Sequence, residues 1–155
     1  MSSQSVTAWE ALFRAQVRVY RVLSAEFPDE QLAFSEYDVL FTISREPGRE
    51  IGMRELTRNV LLSQSSVSRM VDRLVARGYV AKTDDPSDHR ATRVQLTEEG
   101  FAVFRRAAQA HMASISRCLD AALDQSELAQ LKALCEKIQR AVPDVAPGGT
   151  RRVES

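Results

Sequence analysis

The chain has 155 residues, 44% of them apolar and 27% charged, a globular mixture sufficient for one well-cored domain with an oligomerisation element and too short for two independent domains. Its 21 basic and 21 acidic side chains cancel. Neutrality excludes indiscriminate charge-driven binding to nucleic acid or an anionic membrane, and leaves open recognition by a few placed cations.

Trp9, Phe13, Val17, Tyr20 and Phe27 recur at helical spacing, with Leu12, Val19 and Leu23 beside them, predicting a long helix over 6–27 that Pro28 stops. A second helix, about 36–45, is predicted from Ser35 as N-cap and Asp38 in the capping-box position. Phe34 and Val39 form its staple, and Glu46-Pro47-Gly48 ends it. Two short helical patterns follow. One spans about 53–60 with Leu56 and Val60 inward, and the other runs from a Ser63 cap to Arg77 with Gly78 at C′. Their close junction suggests a helix-turn-helix. The period then becomes alternating, and 79–83 and 92–96 read as strands flanking a charged loop, 84–91. Thr97 caps a helix to about 123, with Glu98 and Glu99 at its positive end. Leu128, Leu131, Cys135, Ile138 and Val142 mark a last helix, and residues 143–155 are expected to be a disordered tail.

The expected fold is therefore mainly α with a small β-hairpin wing. One domain holds a winged helix-turn-helix DNA-binding lobe over 30–97 and dimerisation helices over 6–27 and 98–142. The outer helices are too apolar to stand in solvent, so a two-fold homodimer is expected.

On a helical wheel Val67, Met70, Val71 and Leu74 form one face of the 63–77 helix. Ser65, Arg69 and Ala76 lie opposite, flanked by Ser68, Asp72 and Arg73. A small, polar first turn followed by guanidinium groups at Arg69, Arg73 and Arg77 suits a helix entering a major groove. Ser63 marks free backbone amides for a phosphate, and Arg69 is the expected base reader, on guanine. The plain alternative is a solvated face with routine arginines. In the hairpin, Arg90 is expected to project from the loop with its guanidinium oriented by Asp88, which suits a narrow minor groove; the alternative is a surface ion pair of little energetic weight.

The run Asp88 to Gly100 (DHRATRVQLTEEG) fits D-x-R-x-x-x-V-x-L-T-x-x-G at every defined position. It resembles the wing signature of the multiple-antibiotic-resistance regulator (MarR) family. Ser63 to Val80 is similar to that family's recognition helix and the following strand, and the order of elements is similar over about 6–142. The resemblance implies a homodimer whose first and last helices interlock, two recognition helices in successive major grooves of a pseudo-palindrome, and wings in the flanking minor grooves. It places Arg90 in the minor groove with Asp88 as orienting partner, Ser65, Ser66, Ser68 and Arg69 at bases or nearby backbone, and Arg73 at a phosphate. Ser63, Gln64, Arg77 and His89 complete the expected contact set.

The resemblance further implies a repressor released by a small aromatic or anionic effector where the dimer helices meet the DNA-binding lobe. Arg14, Arg18, Tyr37 and His111 are candidates for that pocket as polar groups on apolar helices, the alternative being solvated or structurally satisfied side chains. Cys118 and Cys135 lack paired zinc spacing and are expected to pack; oxidation sensing is the alternative. Histidines only at 89 and 111, no phosphate loop and no nucleophile beside a base argue against an enzyme, a metal site or a cofactor. A winged helix used as a protein-docking module would want an apolar or acidic recognition face. The opening residues lack a basic segment followed by an apolar one and no run of about 18 apolar residues occurs, so a cytoplasmic, membrane-free protein is expected. Between Arg54 and Arg93 eight basic residues face five acidic ones, so neutrality averages a basic lobe with an acidic remainder.

Overall fold

A computed structural model describes residues 3–27, 31–60 and 64–143. Pro28, Ser63 and residues 144–155, assigned above as a helix stop, a helix cap and most of a tail, lie outside the described residues.

Helix α1 (Gln4–Ala25) starts where the Ser3 hydroxyl accepts the Val6 amide hydrogen. Only Leu23 along it is buried, and Trp9, Phe13 and Tyr20 are exposed. Helix α2 (Phe34–Ser44) corrects the expected start by two residues. Its N-cap is Ala33 rather than Ser35, and Glu36 rather than Asp38 closes the box, its carboxylate accepting the Ala33 N–H at 3.0 Å. Alanine offers no capping oxygen, so core burial sets this register: Leu32 plugs the interior just before the helix, and Val39, Leu40 and Ile43 are fully buried.

Strand β1 (Glu50–Gly52), too short to be read from the sequence, leads into α3 (Met53–Asn59). Helix α4 (Gln64–Ala76) buries Val67, Met70, Val71 and Leu74, the face the wheel selected. It ends in a Schellman motif. Gly78 takes φ 75°, its N–H donates to the Val75 carbonyl, and the Tyr79 N–H donates to the Leu74 carbonyl at 2.9 Å.

Strands β2 (Val80–Asp85) and β3 (Asp88–Leu96) form the hairpin in a sheet ordered β1-β3-β2. The expected eight-residue loop is instead a tight turn at Pro86-Ser87, and Arg90 stands on β3. The cause is Asp85, whose carboxylate accepts the Ser87 N–H at 2.8 Å and O–H at 2.6 Å. Pairing jumps from Asp84↔Thr92 to Asp85↔Asp88, so residues 89–91 bulge out of the ladder.

Thr97 caps α5 (Glu98–Asp120) by accepting the Gly100 N–H at 3.0 Å, while its own hydroxyl hydrogen is shared between the Gly78 and Tyr79 carbonyls. A Cβ at Gly100 would overlap the Tyr79 carbonyl, so helix and wing approach this closely only over glycine. Helix α6 (Gln125–Ala141), boxed by Asp124 and Glu127, buries none of its side chains. The core joins α2, β1, α3, α4 and β3 through Leu40, Ile43, Ile51, Leu56, Leu74 and Val94, and the first half of α5 covers it with Phe104 and Ala107.

Candidate nucleic-acid interface

With its apolar side buried, α4 turns Arg69 and Arg73 outward; both are exposed, and Ser66 and Ser68 are half-buried in the preceding turn. Ser63 and the side chains of Gln64, Ser65 and His89 lie outside the described residues. The cations divide into two groups. Arg77 donates to Glu36 at 3.0 Å and to the Gln31 carbonyl, and its guanidinium lies 4.7 Å from the Tyr79 ring centroid. It therefore locks the end of α4 to the start of α2, a use the contact set above did not foresee. Arg73 reaches the same Glu36 at 3.9 Å, Lys82 pairs with Asp72, and Arg93 bridges Glu50 (2.8 Å) and Asp85 (3.4 Å). The hydrogen bonds from Ser87, with Arg93 nearby, hold the Asp85 carboxyl down at about 2.

Arg54, Arg58, Arg69 and Arg90 form the second group, exposed and without an ion-pair partner among the described residues. Asp88 does not orient the Arg90 guanidinium as expected. Its carboxylate accepts the Arg90 backbone N–H at 3.0 Å, fixing the bulge and with it the direction in which the strand presents Arg90. Arg54 and Arg58, one turn apart on α3, line a groove with Arg90, Ala91 and Thr92 of the wing. The sequence reading missed these two arginines; their i, i+4 spacing was the available signal.

A second feature lies behind this face. A cavity of about 600 Å³ opens between α1, α2 and α5. Val17, Tyr20 and Arg21 line it from α1, Phe34, Tyr37, Asp38 and Phe41 from α2, and His111 and Ile115 from α5. Tyr37 and His111 are thus brought together as expected, with ring centroids 5.0 Å apart. Arg14 and Arg18 are exposed on α1 and do not line the cavity, which corrects the proposed set. The helical phase of α1 presents Val17, Tyr20 and Arg21 instead.

His111 is 6% exposed, packed against Phe27, Phe34 and Tyr37, and its Nδ1 has no hydrogen-bond partner among the described residues. Burial pushes its pKa below the ordinary imidazole value, and pushes the half-buried Asp38 carboxyl above the ordinary carboxylate value. Tyr37 is pushed up by burial and by the charge of Asp38. Cys118 and Cys135 are half-buried free thiols.

Comparison with known proteins gives four findings. The MarR family model matches residues 30–91, the segment from the approach to α2 through the wing bulge. An uncharacterized HTH-type transcriptional regulator of Bacillus cereus is 30% identical over 119 residues, covering 76% of this chain and 78% of that protein. Among solved structures, the MarR family transcriptional regulator Sco3205 of Streptomyces coelicolor in complex with DNA superposes with a TM-score of 0.78 at 24% identity, covering 95% of this chain and 93% of that one. BpsR of Bordetella bronchiseptica, whose DNA binding is regulated by 6-hydroxynicotinic acid, superposes with a TM-score of 0.73 at 22% identity over 86% of this chain and 98% of its own. At these identities the superpositions establish the fold.

Proposed function

Because the chain belongs to the MarR family of transcriptional regulators, we propose that it is a repressor that binds a pseudo-palindromic operator as a homodimer and leaves it when a small aromatic molecule occupies the cavity behind the DNA-binding lobe. The observation that carries the reading is the division of the cations. Around α4 and the wing, Arg77, Lys82 and Arg93 are tied to carboxylates, whereas Arg69 on α4 and Arg90 on the wing stand exposed and free of ion pairs among the described residues. In this reading Arg69 contacts a base, with Ser65, Ser66 and Ser68 at bases or backbone nearby. Arg90 enters the flanking minor groove on a strand whose direction Asp88 sets. Arg73, 58% exposed, reaches a phosphate, as do the α4 amides near Ser63 and Gln64, and His89 lies beside Arg90 on the bulge. Arg77 acts indirectly, by fixing α4 on α2. The DNA complex of Sco3205 and the effector control of BpsR support the two halves of the reading by analogy.

The test begins by sequencing the genomic DNA that the purified protein retains, which supplies the operator. Arg69→Ala and Arg90→Ala should each weaken operator binding about 5- to 150-fold, the range of about 1–3 kcal/mol for a lost base-edge contact, with an unchanged mass by light scattering. Wild-type affinity in both variants would refute this docking. The surviving alternative, a protein-docking module, predicts negligible salt dependence of any DNA binding.

A further inference from the structure

We infer that Glu36, buried at the start of α2, is a positioning residue for operator recognition: its carboxylate grips α4 and fixes the rotation at which Arg69 meets a base. The inference rests on the reading of α4 as the recognition helix and adds the group that sets its placement.

Glu36 is the one buried acidic side chain among the described residues. Acidic groups are almost never fully buried unless paired, so its location asks what the charge is for. Its Oε2 accepts the Ala33 N–H at 3.0 Å and a hydrogen from Arg77 Nη1 at 3.0 Å, and its Oε1 lies 3.9 Å from Arg73 Nε. The capping box needs one oxygen at this position and is served equally by glutamine. The charge is therefore spent on α4.

Arg69, Arg73 and Arg77 recur every fourth residue and share one stripe of α4. Glu36 engages two of the three, and the one it leaves free is the proposed base reader. The apolar side of α4, with Val67, Met70, Val71 and Leu74, holds the helix on the core. Apolar burial is non-directional, whereas charge-assisted hydrogen bonds from a guanidinium fix both distance and angle. Base-edge contacts need that precision, since hydrogen bonds hold only over about 2.7–3.2 Å. Contacts to phosphates carry no sequence information and survive a small rotation of the helix.

Arg77 has a second anchor in the same segment. It also donates to the Gln31 carbonyl, and the Gln31 side-chain oxygen accepts a hydrogen from Arg106 Nη2 on α5 at 2.6 Å. The stretch 31–36 thus fastens the end of α4 to an outer helix of the proposed dimer, the frame against which two recognition helices must be spaced. A negative charge behind a DNA-facing helix opposes phosphate binding, so its removal acts in opposite directions under the two roles open to it. Through charge alone, Glu36→Gln would strengthen binding to any DNA. Through positioning, it weakens binding to the operator selectively.

The test is fluorescence anisotropy at one salt concentration with the operator recovered from genomic DNA and a scrambled duplex of the same length and composition. Glu36→Gln keeps the box and the side-chain size, and its mass by light scattering should be unchanged. The ratio of operator affinity to scrambled affinity should fall about tenfold, within the range for one misaligned base-edge contact. Combined with Arg77→Gln, it should lower the ratio no more than about twofold beyond the poorer single variant, because both remove one clamp. Should Glu36→Gln lose its fold, Arg77→Lys carries the same test. It keeps the charge but cannot reproduce the guanidinium fork that serves Glu36 and the Gln31 carbonyl together, and should lower the ratio at least about threefold. An unchanged ratio, an equal change on both duplexes, or additive losses in the double variant would each overturn the inference. Wild-type protein that does not distinguish the duplexes would remove the operator reading and the inference with it, whereas discrimination that survives in the variants removes the inference alone.

Discussion

Four of the eight basic side chains between Arg54 and Arg93 are tied to carboxylates, and that division tells more than their number. Arg93 and Arg77 build the wing and brace α4, so the surplus of positive charge read from the sequence is presented by fewer residues than it counts. The wing signature also becomes physical at this scale. Val94 and Leu96 are buried, Asp88 fixes the bulge, Thr97 ties the helix start to the two residues that lead into β2, and Gly100 is required because the Tyr79 carbonyl occupies the space of a Cβ. The pattern was legible as a string; these reasons are tertiary. His111 carries a prediction here. Its folded pKa lies below the unfolded 6.5, so between those values the folded state binds fewer protons than the unfolded chain. Stability should therefore fall as pH drops from about 6.5 toward the folded pKa. Asp38, whose folded pKa lies above 3.8, acts in the opposite sense, adding stability only once pH falls through its own folded value. The urea midpoint should decline from about pH 7.5 to about pH 5.5 in the wild type, and less in His111→Phe, which keeps a ring and does not titrate. Identical slopes in the two proteins would show that His111 does not set this dependence.

Among the elements, those held by their own periodicity were legible in advance. The buried face of α4, the Gly78 stop and the Thr97 start follow from local pattern and local hydrogen bonds. Elements placed by distant partners were not. The start of α2 moved because Leu32 is pulled into the core, and the Glu36 N–H that a capping oxygen would accept donates instead to the Ala33 carbonyl at 2.9 Å. Strand β1 exists because it pairs with β3, and the hairpin is tighter than its charged sequence suggests because Asp85 folds Ser87 over the turn. Reading Asp38 as part of a cap concealed its place in the cavity wall. The groove between α3 and the wing is likewise a product of tertiary assembly, and it extends the DNA-facing surface beyond α4. Arg54 and Arg58 flank it with no ion pair of their own among the described residues, a disposition suited to phosphates rather than bases. The double variant Arg54→Ala/Arg58→Ala should weaken binding to matched and mismatched operators by a similar factor. It should also flatten the plot of log affinity against log salt by about two units, since each phosphate contact contributes about 0.9. A slope equal to that of the wild type would place both arginines off the DNA.

For the whole molecule, an isolated chain is physically implausible. Helix α6 has no fully buried side chain, and Leu134 (60% exposed), Ile138 (49%), Trp9 (62%) and Met112 (56%) add large apolar surface on α6, α1 and α5. Monomeric soluble proteins rarely leave apolar patches larger than a few hundred Å² in water. Scattered surface leucines would need no explanation; here the exposed apolar residues concentrate on the outer helices, whereas the lobe from α2 to β3 is well cored. The proposed dimer covers these helices and doubles the basic face while the acidic remainder of each chain keeps the net charge at zero. Replacing Leu134 and Ile138 together with glutamate places charges in that interface without touching the core or α4. The variant should run as a monomer by light scattering, and operator affinity should fall by about two to four orders of magnitude, because a second half-site then no longer binds intramolecularly. Helical content measured by circular dichroism at high protein concentration checks that the lobe itself survives. A variant that stays dimeric would move the interface off α6, and a monomer that still binds the full operator at wild-type affinity would show that each lobe recognises its half-site alone.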